Sequence, residues 1–129
     1  MSTGAVPPAG FHSVTPRMVV SDVAAAAAFL RAVFGATGEV RGDGPAEIRI
    51  GDSVVMVSAA GRRVPFPAFL YVYVDDADGA FRRALAEGAV ALEEPFDTPY
   101  GDRRAMVRDP SGNVFQIASR ACASPTNLA

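Results

Sequence analysis

The sequence is poor in the residues on which metal and nucleophilic chemistry usually depend. It has one histidine and one cysteine in 129 residues, and its basic residues are all arginine. The single cysteine, Cys122, excludes an internal disulfide and has no base beside it, which favours a reducing cytoplasm and argues against thiol catalysis. The absence of lysine excludes a phosphate-binding loop of the usual kind. A net charge of −2 provides no basic excess, so nucleic acid is not an expected partner.

The sequence also lacks a long apolar run and a basic leader segment, so a membrane is not an expected partner either. Half of its residues are hydrophobic, which is enough for the core of one compact domain. Ser, Pro and Asn occur together in the C-terminal stretch, and we expect residues 121–129, like residues 1–12, to be tails. Residues 13–120 are then the single folded domain.

What the sequence does contain is an internal repeat. "TPRMVVSDVAAAAAFLRAVFGATGEV" and "FLYVYVDDADGAFRRALAEGAVALEEP" each begin with a strand-like run that ends at a helix-capping aspartate, Asp22 in the first and Asp75 or Asp76 in the second. Apolar residues at helical spacing follow: Val23, Ala26, Ala27, Leu30 and Phe34, then Ala77, Phe81, Ala84 and Leu85. Both helices should end at a Gly-Ala pair, Gly35-Ala36 and Gly88-Ala89.

Further strand signals follow each helix, at residues 47–50 and 54–58 in the first half and at 104–107 and 114–119 in the second. If weak strands at 37–41 and 90–93 are included, each half is β-α-β-β-β. This predicts an α+β fold of two repeated modules, residues 13–58 and 68–120, joined by a linker at 59–67. We expect their sheets to associate edge to edge with the helices outside.

Strand alternation separates two faces. One is apolar and should form the core under the helices. The other, here called the mixed face, combines cationic, amide, hydroxyl and aromatic side chains, and this composition favours a ligand cavity over a dry core. A solvated surface or a dimer interface is the alternative. Its predicted members are Thr15, Arg17, Val19, Val54, Met56, Ser58, Phe69, Tyr71, Tyr73, Val114, Gln116 and Ala118.

With "IGDSVVMVS" and "YGDRRAMVRDPSGNVFQIAS" added, these segments resemble the glyoxalase/bleomycin-resistance/dioxygenase group, the vicinal oxygen chelate superfamily, and within it the PhnB-like branch. The resemblance covers about residues 15–119. It implies two modules that form a half-open, barrel-like mixed sheet around a cavity, commonly in a homodimer.

The resemblance also implies where a metal would be bound in an enzyme of this superfamily: at Thr15, Met56, Phe69 and Gln116. Thr and Met are weak donors, Phe has none, and Gln provides only a neutral carbonyl. None of these side chains compensates the charge of a metal ion. The only histidine, His12, lies in the predicted tail. We therefore expect neither a metal nor another cofactor.

Other catalytic arrangements have little support. The carboxylates Glu93, Glu94 and Asp97 are predicted to lie on a solvated loop before the last hairpin, where acid–base catalysis is the less favoured interpretation. Asp109 and Asn113 are expected to shape the turn around Pro110.

The leading hypothesis is a small-molecule binding protein that lacks the usual metal ligands and acts in sequestration or resistance. Its ligand, aromatic or anionic, would contact Thr15, Arg17, Met56, Ser58, Phe69, Tyr71, Tyr73, Tyr100 and Gln116. The alternative is a metal-dependent lyase, isomerase or dioxygenase of the same superfamily. An inert interaction domain is the third possibility.

Overall fold

The computed structural model describes residues 7–42 and 44–120. The chain divides between Ala68 and Phe69 into two compact units, which are described separately. Cys122 and the predicted C-terminal tail lie outside the described residues. Among the described residues, neither helix has the length and apolar character needed to cross a membrane.

The first unit has one helix and three strands. The elements are β1 (Arg17–Val20), α1 (Val23–Phe34), β2 (Ala46–Ile50) and β3 (Ser53–Ala59). Strand β3 lies in the centre of the sheet, parallel to β1 and antiparallel to β2. The sheet buries its apolar face together with one face of α1, as the alternation predicted. The buried core includes Met18, Val20, Ile48, Val55 and Val57 from the strands and Ala26, Ala27, Phe29, Leu30 and Val33 from the helix.

The second unit repeats this order and adds one strand. The elements are β4 (Phe69–Tyr73), α2 (Ala77–Ala86), β5 (Val90–Asp97), β6 (Asp102–Arg108) and β7 (Val114–Arg120). Strand β4 is parallel to β7, which is antiparallel to β6, and β5 forms the far edge beside β6. In both units the first strand therefore pairs in parallel with the last. The predicted α+β class and the glyoxalase-type arrangement of mixed sheets are confirmed.

The predicted strand at residues 37–41 is wrong. Only one bridge remains there, between Thr37 and Arg49. Gly38 has a φ angle of 119°, which is incompatible with a regular strand. The first unit is therefore β-α-β-β, whereas the second has the full β-α-β-β-β order.

The predicted weak strand at 90–93 is confirmed as the first half of β5 (Val90–Asp97), but the predicted acidic loop is wrong, because Glu94 and Asp97 lie in that strand with Glu93. The error has a physical origin: charge and proline usually indicate a loop, but both are tolerated in an edge strand. Strand β5 is such an edge, and its pairing with β6 has register shifts on both sides of Glu93.

Both helices begin as predicted. The Asp22 side chain accepts a hydrogen bond from the backbone N–H of Ala25, and Asp76 accepts one from Gly79. Helix α1 ends at Gly35 in the left-handed conformation, with φ 65°. The predicted apolar stripe of α2 is correct at its buried alanines and Phe81, but Leu85 is exposed.

The β6–β7 turn is built around Asp109, as predicted. Its carboxylate accepts hydrogen bonds from the backbone N–H groups of Ser111 and Asn113, at 3.0 and 2.8 Å. The Asn113 amide donates a third bond to it, at 3.2 Å. Burial is the largest influence on the Asp109 carboxyl and raises its pKa, although these bonds oppose it. The turn sets the register of β7 against β6 and so places Gln116 opposite Met106. On its other side β7 pairs with β4, where Gln116 is opposite Tyr71.

Candidate functional site

The mixed face of the second unit carries a cluster of interacting polar and aromatic side chains. Residues of β4, β6 and β7 that pair across the sheet share one face, because alternate residues of a strand point to opposite sides. We call this surface the second mixed face. It comprises Phe69, Tyr71 and Tyr73 of β4; Asp102, Arg104 and Met106 of β6; and Val114, Gln116, Ala118 and Arg120 of β7.

Asp102 lies at the centre of this cluster, with 1% of its surface exposed. Its Oδ2 accepts hydrogen bonds from the hydroxyls of Tyr71, at 2.6 Å, and Tyr73, at 2.8 Å. The two tyrosine rings lie side by side, with centroids 5.3 Å apart and planes inclined by 55°. A buried carboxylate thus fixes the positions of two aromatic rings that are themselves exposed.

The other oxygen of Asp102 is held mainly by charge. Arg120 Nε lies 2.9 Å from Oδ1, yet the buried Oδ1 has no hydrogen-bond partner because the N–H is not directed at it. Arg120 instead donates to the carbonyl oxygen of Tyr100, at 3.1 Å, and makes a long contact of 3.4 Å with the Tyr73 hydroxyl. We therefore interpret the Arg120–Asp102 contact as an ion pair.

A second arginine completes the cluster from β6. Arg104 Nη1 donates to the Tyr100 hydroxyl at 2.8 Å, and its Nε donates to Glu93 Oε1 at 3.2 Å. Its guanidinium also lies over the ring of Phe96, 5.1 Å from the centroid. The Tyr100 hydroxyl in turn lies 3.4 Å from that of Tyr71. Arg104 and Arg120 thus each have a carboxylate partner.

These contacts fix the protonation states. Burial and the hydrogen bond to Asp102 raise the pKa of Tyr71 well above its ordinary value, so the phenol keeps its hydrogen. For Asp102, burial is the largest influence and acts to raise the pKa. The two tyrosine hydrogen bonds and the charges of Arg120 and Arg104 together outweigh burial and lower the Asp102 pKa. The cluster therefore contains an ionised carboxylate and a neutral phenol.

The mixed face of the first unit is simpler. Arg17 Nη2 donates to the Met56 sulfur at 3.5 Å, across the parallel pair β1 and β3. The hydroxyl oxygen of Ser58, opposite Val19, is buried without a hydrogen-bond partner. Thr15 is half-buried and precedes β1, so it lies outside the strand to which the alternation assigned it. His12 lies on the surface, with Nε2 3.0 Å from the carbonyl oxygen of Asp52.

A groove of about 320 Å³ in the first unit does not involve the predicted site residues. It is lined by Gly38, Glu39, Arg41, Pro45 and Glu47.

The structure brings four predicted site residues together in the second unit: Tyr71, Tyr73 and Gln116 on neighbouring strands and Tyr100 just before β6. Phe69 lies on the same face, opposite Val114. Sequence reasoning missed Asp102, Arg104 and Arg120. The sequence does contain a signal for two of them. If β6 begins at residue 102 instead of the predicted 104, Asp102 and Arg104 fall on the face opposite Ala105 and Val107, which are buried.

Arg103 and Arg104 do not form a common basic patch, because neighbouring residues of a strand face opposite sides. Arg103 forms ion pairs with Asp78 of α2, at 3.0 Å, and with Asp97, at 3.4 Å. Arg104 belongs to the second mixed face and pairs with Glu93.

The side chains at the positions that the resemblance assigns to a metal do not fit one. In the first unit Met56 is contacted by a guanidinium, whose positive charge opposes a cation there. In the second unit Phe69 has no donor atom and Gln116 only a neutral one. Within residues 7–42 and 44–120, no three His, Cys, Asp or Glu side chains are grouped so as to hold a metal ion.

Comparison with known proteins identifies the family. Residues 10–117 match the model of the glyoxalase/bleomycin resistance protein/dioxygenase superfamily. This range covers most of the chain and both units. The chain belongs to this superfamily.

The chain is also similar to individual known proteins. The chain is 30% identical to the uncharacterized protein Mb0911c of Mycobacterium bovis over 123 residues, covering 81% of each chain. It is 38% identical over 58 residues to "Putative glyoxylase CFP32" of the same species, which covers 45% of this chain but only 22% of that relative. The crystal structure of TioX from Micromonospora sp. ML1 superposes with a TM-score of 0.70 at 25% identity, covering 82% of this chain and 96% of TioX.

Proposed function

We propose that this protein binds a small aromatic or anionic molecule on its mixed faces, without a metal, in a sequestering or resistance role. The observation that carries the proposal is the pair of exposed tyrosine rings whose hydroxyls are anchored on buried Asp102. Aromatic surface that is held rigid loses little entropy when a planar ligand stacks on it.

The choice between a ligand surface and a merely solvated sheet depends on burial. A carboxylate removed from water costs free energy unless it is fully paired. In a sheet face that only meets solvent, nothing requires such a group. Here the buried carboxylate fixes three neighbouring polar side chains, Tyr71, Tyr73 and Arg120, as expected for a site whose groups are prearranged before the ligand arrives.

The remaining predicted residues complete the proposal. Gln116 and Phe69 adjoin the tyrosines on the second mixed face. For the first unit taken by itself, the proposed ligand contacts on its mixed face are Thr15, Arg17, Met56 and Ser58, and Arg17 is the group suited to an anion. We also propose a cytoplasmic homodimer of the PhnB-like branch, supported by the single cysteine and by the resemblance.

The test is a thermal-shift screen against aromatic fragments, some neutral and some anionic. We expect a subset to raise the melting temperature of the wild type, and Tyr71→Ala and Gln116→Ala to abolish that increase. Arg103→Ala is the matched control, since Arg103 lies on the opposite face of β6. Stabilisation that survives both mixed-face substitutions would disprove the assignment of the site.

A metal-dependent lyase, isomerase or dioxygenase is the second candidate, favoured by the superfamily and by the name of the CFP32 relative. Elemental analysis of protein purified without chelators separates the two. We expect substoichiometric zinc, nickel, manganese and iron. One metal per chain would favour the enzyme.

A further inference from the structure

The direction of each hydrogen bond around Asp102 is determined by which groups can donate and which can accept. An ionised carboxylate can only accept and a guanidinium can only donate, whereas each tyrosine hydroxyl has one hydrogen to give. Tyr71 and Tyr73 both give that hydrogen to Asp102 Oδ2. Neither hydroxyl can therefore donate to a ligand without breaking a bond to a buried charge.

The phenolic oxygens of Tyr71 and Tyr73 can still accept. Their other polar contacts are long, 3.4 Å to the Tyr100 hydroxyl and 3.4 Å to Arg120 Nη2. Both residues are exposed, with 38% and 55% of their surface accessible. Two adjacent lone-pair acceptors thus lie on the second mixed face.

Tyr100, in contrast, can offer a ligand a hydrogen-bond donor. Its oxygen accepts from Arg104 Nη1 at 2.8 Å, and its own hydrogen has only the long contact to Tyr71. Tyr100 is 52% exposed, so its hydroxyl is free to turn and donate to a ligand. The second mixed face and Tyr100 beside it together offer two acceptors and one donor, with the Tyr100 hydroxyl 3.4 Å from that of Tyr71.

The arginines do not convert this face into an anion site. Arg104 is paired with Glu93 and Arg120 with Asp102, so each positive charge has a negative partner. A carboxylate ligand would bring only acceptors against the tyrosine oxygens and would compete with Asp102 for Arg120. The tyrosine acceptors and the paired arginine charges of this cluster thus disfavour an anionic ligand.

We propose that the second mixed face recognises a neutral, planar aromatic molecule bearing an N–H or O–H donor next to a carbonyl-type acceptor, as in an aromatic carboxamide. The donor binds the Tyr71 and Tyr73 oxygens, and the acceptor receives the Tyr100 hydrogen. This inference rests on the proposed function and narrows it to one class of ligand.

Three probes of nearly the same shape test which hydrogen-bonding groups the face prefers in a ligand: benzamide, acetophenone and benzoate. Acetophenone replaces the amide nitrogen by a methyl group and keeps the carbonyl, whereas benzoate has only acceptors and a negative charge. Titrations of the full chain are followed by NMR through the Nε–H signal of Arg104. We expect benzamide to bind about fivefold more tightly than acetophenone, as one net hydrogen bond provides, and benzoate to bind most weakly.

Two single-atom variants assign the contacts. Tyr71→Phe removes an acceptor, so we expect the preference for benzamide over acetophenone to fall to less than about twofold. Tyr100→Phe removes the donor, which both probes use, so both affinities should fall while their ratio is kept. If Tyr71→Phe does not fold, the three probes on the wild type still decide the question.

The results separate this inference from the proposed function. The proposed arrangement of two acceptors and one donor is wrong if benzamide and acetophenone bind equally, or if benzoate binds most tightly. Either result still leaves the face as a ligand surface. If none of the probes moves the Arg104 signal, both the inference and the second mixed face as a binding site are rejected.

Discussion

The two units share a backbone plan and differ in what their mixed faces carry. Each begins with a strand, caps its helix with an aspartate and pairs its first strand in parallel with its last. The first unit has one long arginine–methionine contact on that face. The second has a buried carboxylate with two tyrosines and two arginines around it. The features that the two units share therefore specify the fold, and the side chains in which their mixed faces differ form the candidate site.

The largest effect should come from removing the centre of the second cluster. Asp102→Ala leaves two tyrosine hydroxyls without their acceptor and Arg120 without its ion-pair partner, and we expect it to lower the free energy of unfolding by about 3 kcal/mol. Arg17→Ala, on the mixed face of the first unit, should cost less than about 0.5 kcal/mol. Urea denaturation at neutral pH measures both. Similar losses would remove the distinction between the two faces.

The Asp102 contribution should also depend on pH. Because the folded-state pKa lies below the ordinary value of 3.8, the charged carboxylate stabilises the fold fully above that value. The contribution is lost as the pH falls through the folded-state pKa. The stability difference between wild type and Asp102→Asn should therefore be constant above about pH 5 and shrink in acid. Denaturation at several pH values checks this, and a difference that grows in acid would show that the pKa is raised instead.

The two helix caps, in which the units are alike, should contribute equally to stability and less than Asp102 does. Asp22→Ala and Asp76→Ala each remove a helix cap and should each cost about 1 kcal/mol. Asp75→Ala is the control, since Asp76 rather than its neighbour accepts the capping bond. The same denaturation experiment applies. Unequal losses at the two caps would mean that the units are less equivalent than their backbones indicate.

Much of the fold was predictable because repetition and alternation report local geometry directly. The capping aspartates, Gly35, the order of elements and the buried alternate residues all follow from patterns within a few residues. The errors occurred where a local signal was ambiguous. One positive-φ glycine, Gly38, interrupts the expected strand at 37–41, and an edge strand tolerates the charges and proline that were interpreted as a loop.

The site was predictable only in part. The aromatic face was visible in the alternation of β4, and Gln116 in that of β7. The alternation of β6 indicates the face on which Asp102 lies, but not its burial, because a single acid after a glycine in "PYGDRR" is typical of an exposed turn. Its burial depends on which strand brings tyrosines beside it, and that is set by the β4–β7–β6 order of the sheet.

One face of the second sheet is proposed to bind a small aromatic molecule. The most direct test is an NMR titration with benzamide that compares arginine Nε–H signals within and beside β6. We predict saturable shifts at Arg104 and Arg120, with Arg103, one residue away but on the opposite face, unchanged. Shifts at Arg103 as large as those at Arg104, or no shift at Arg104 and Arg120, would contradict the account.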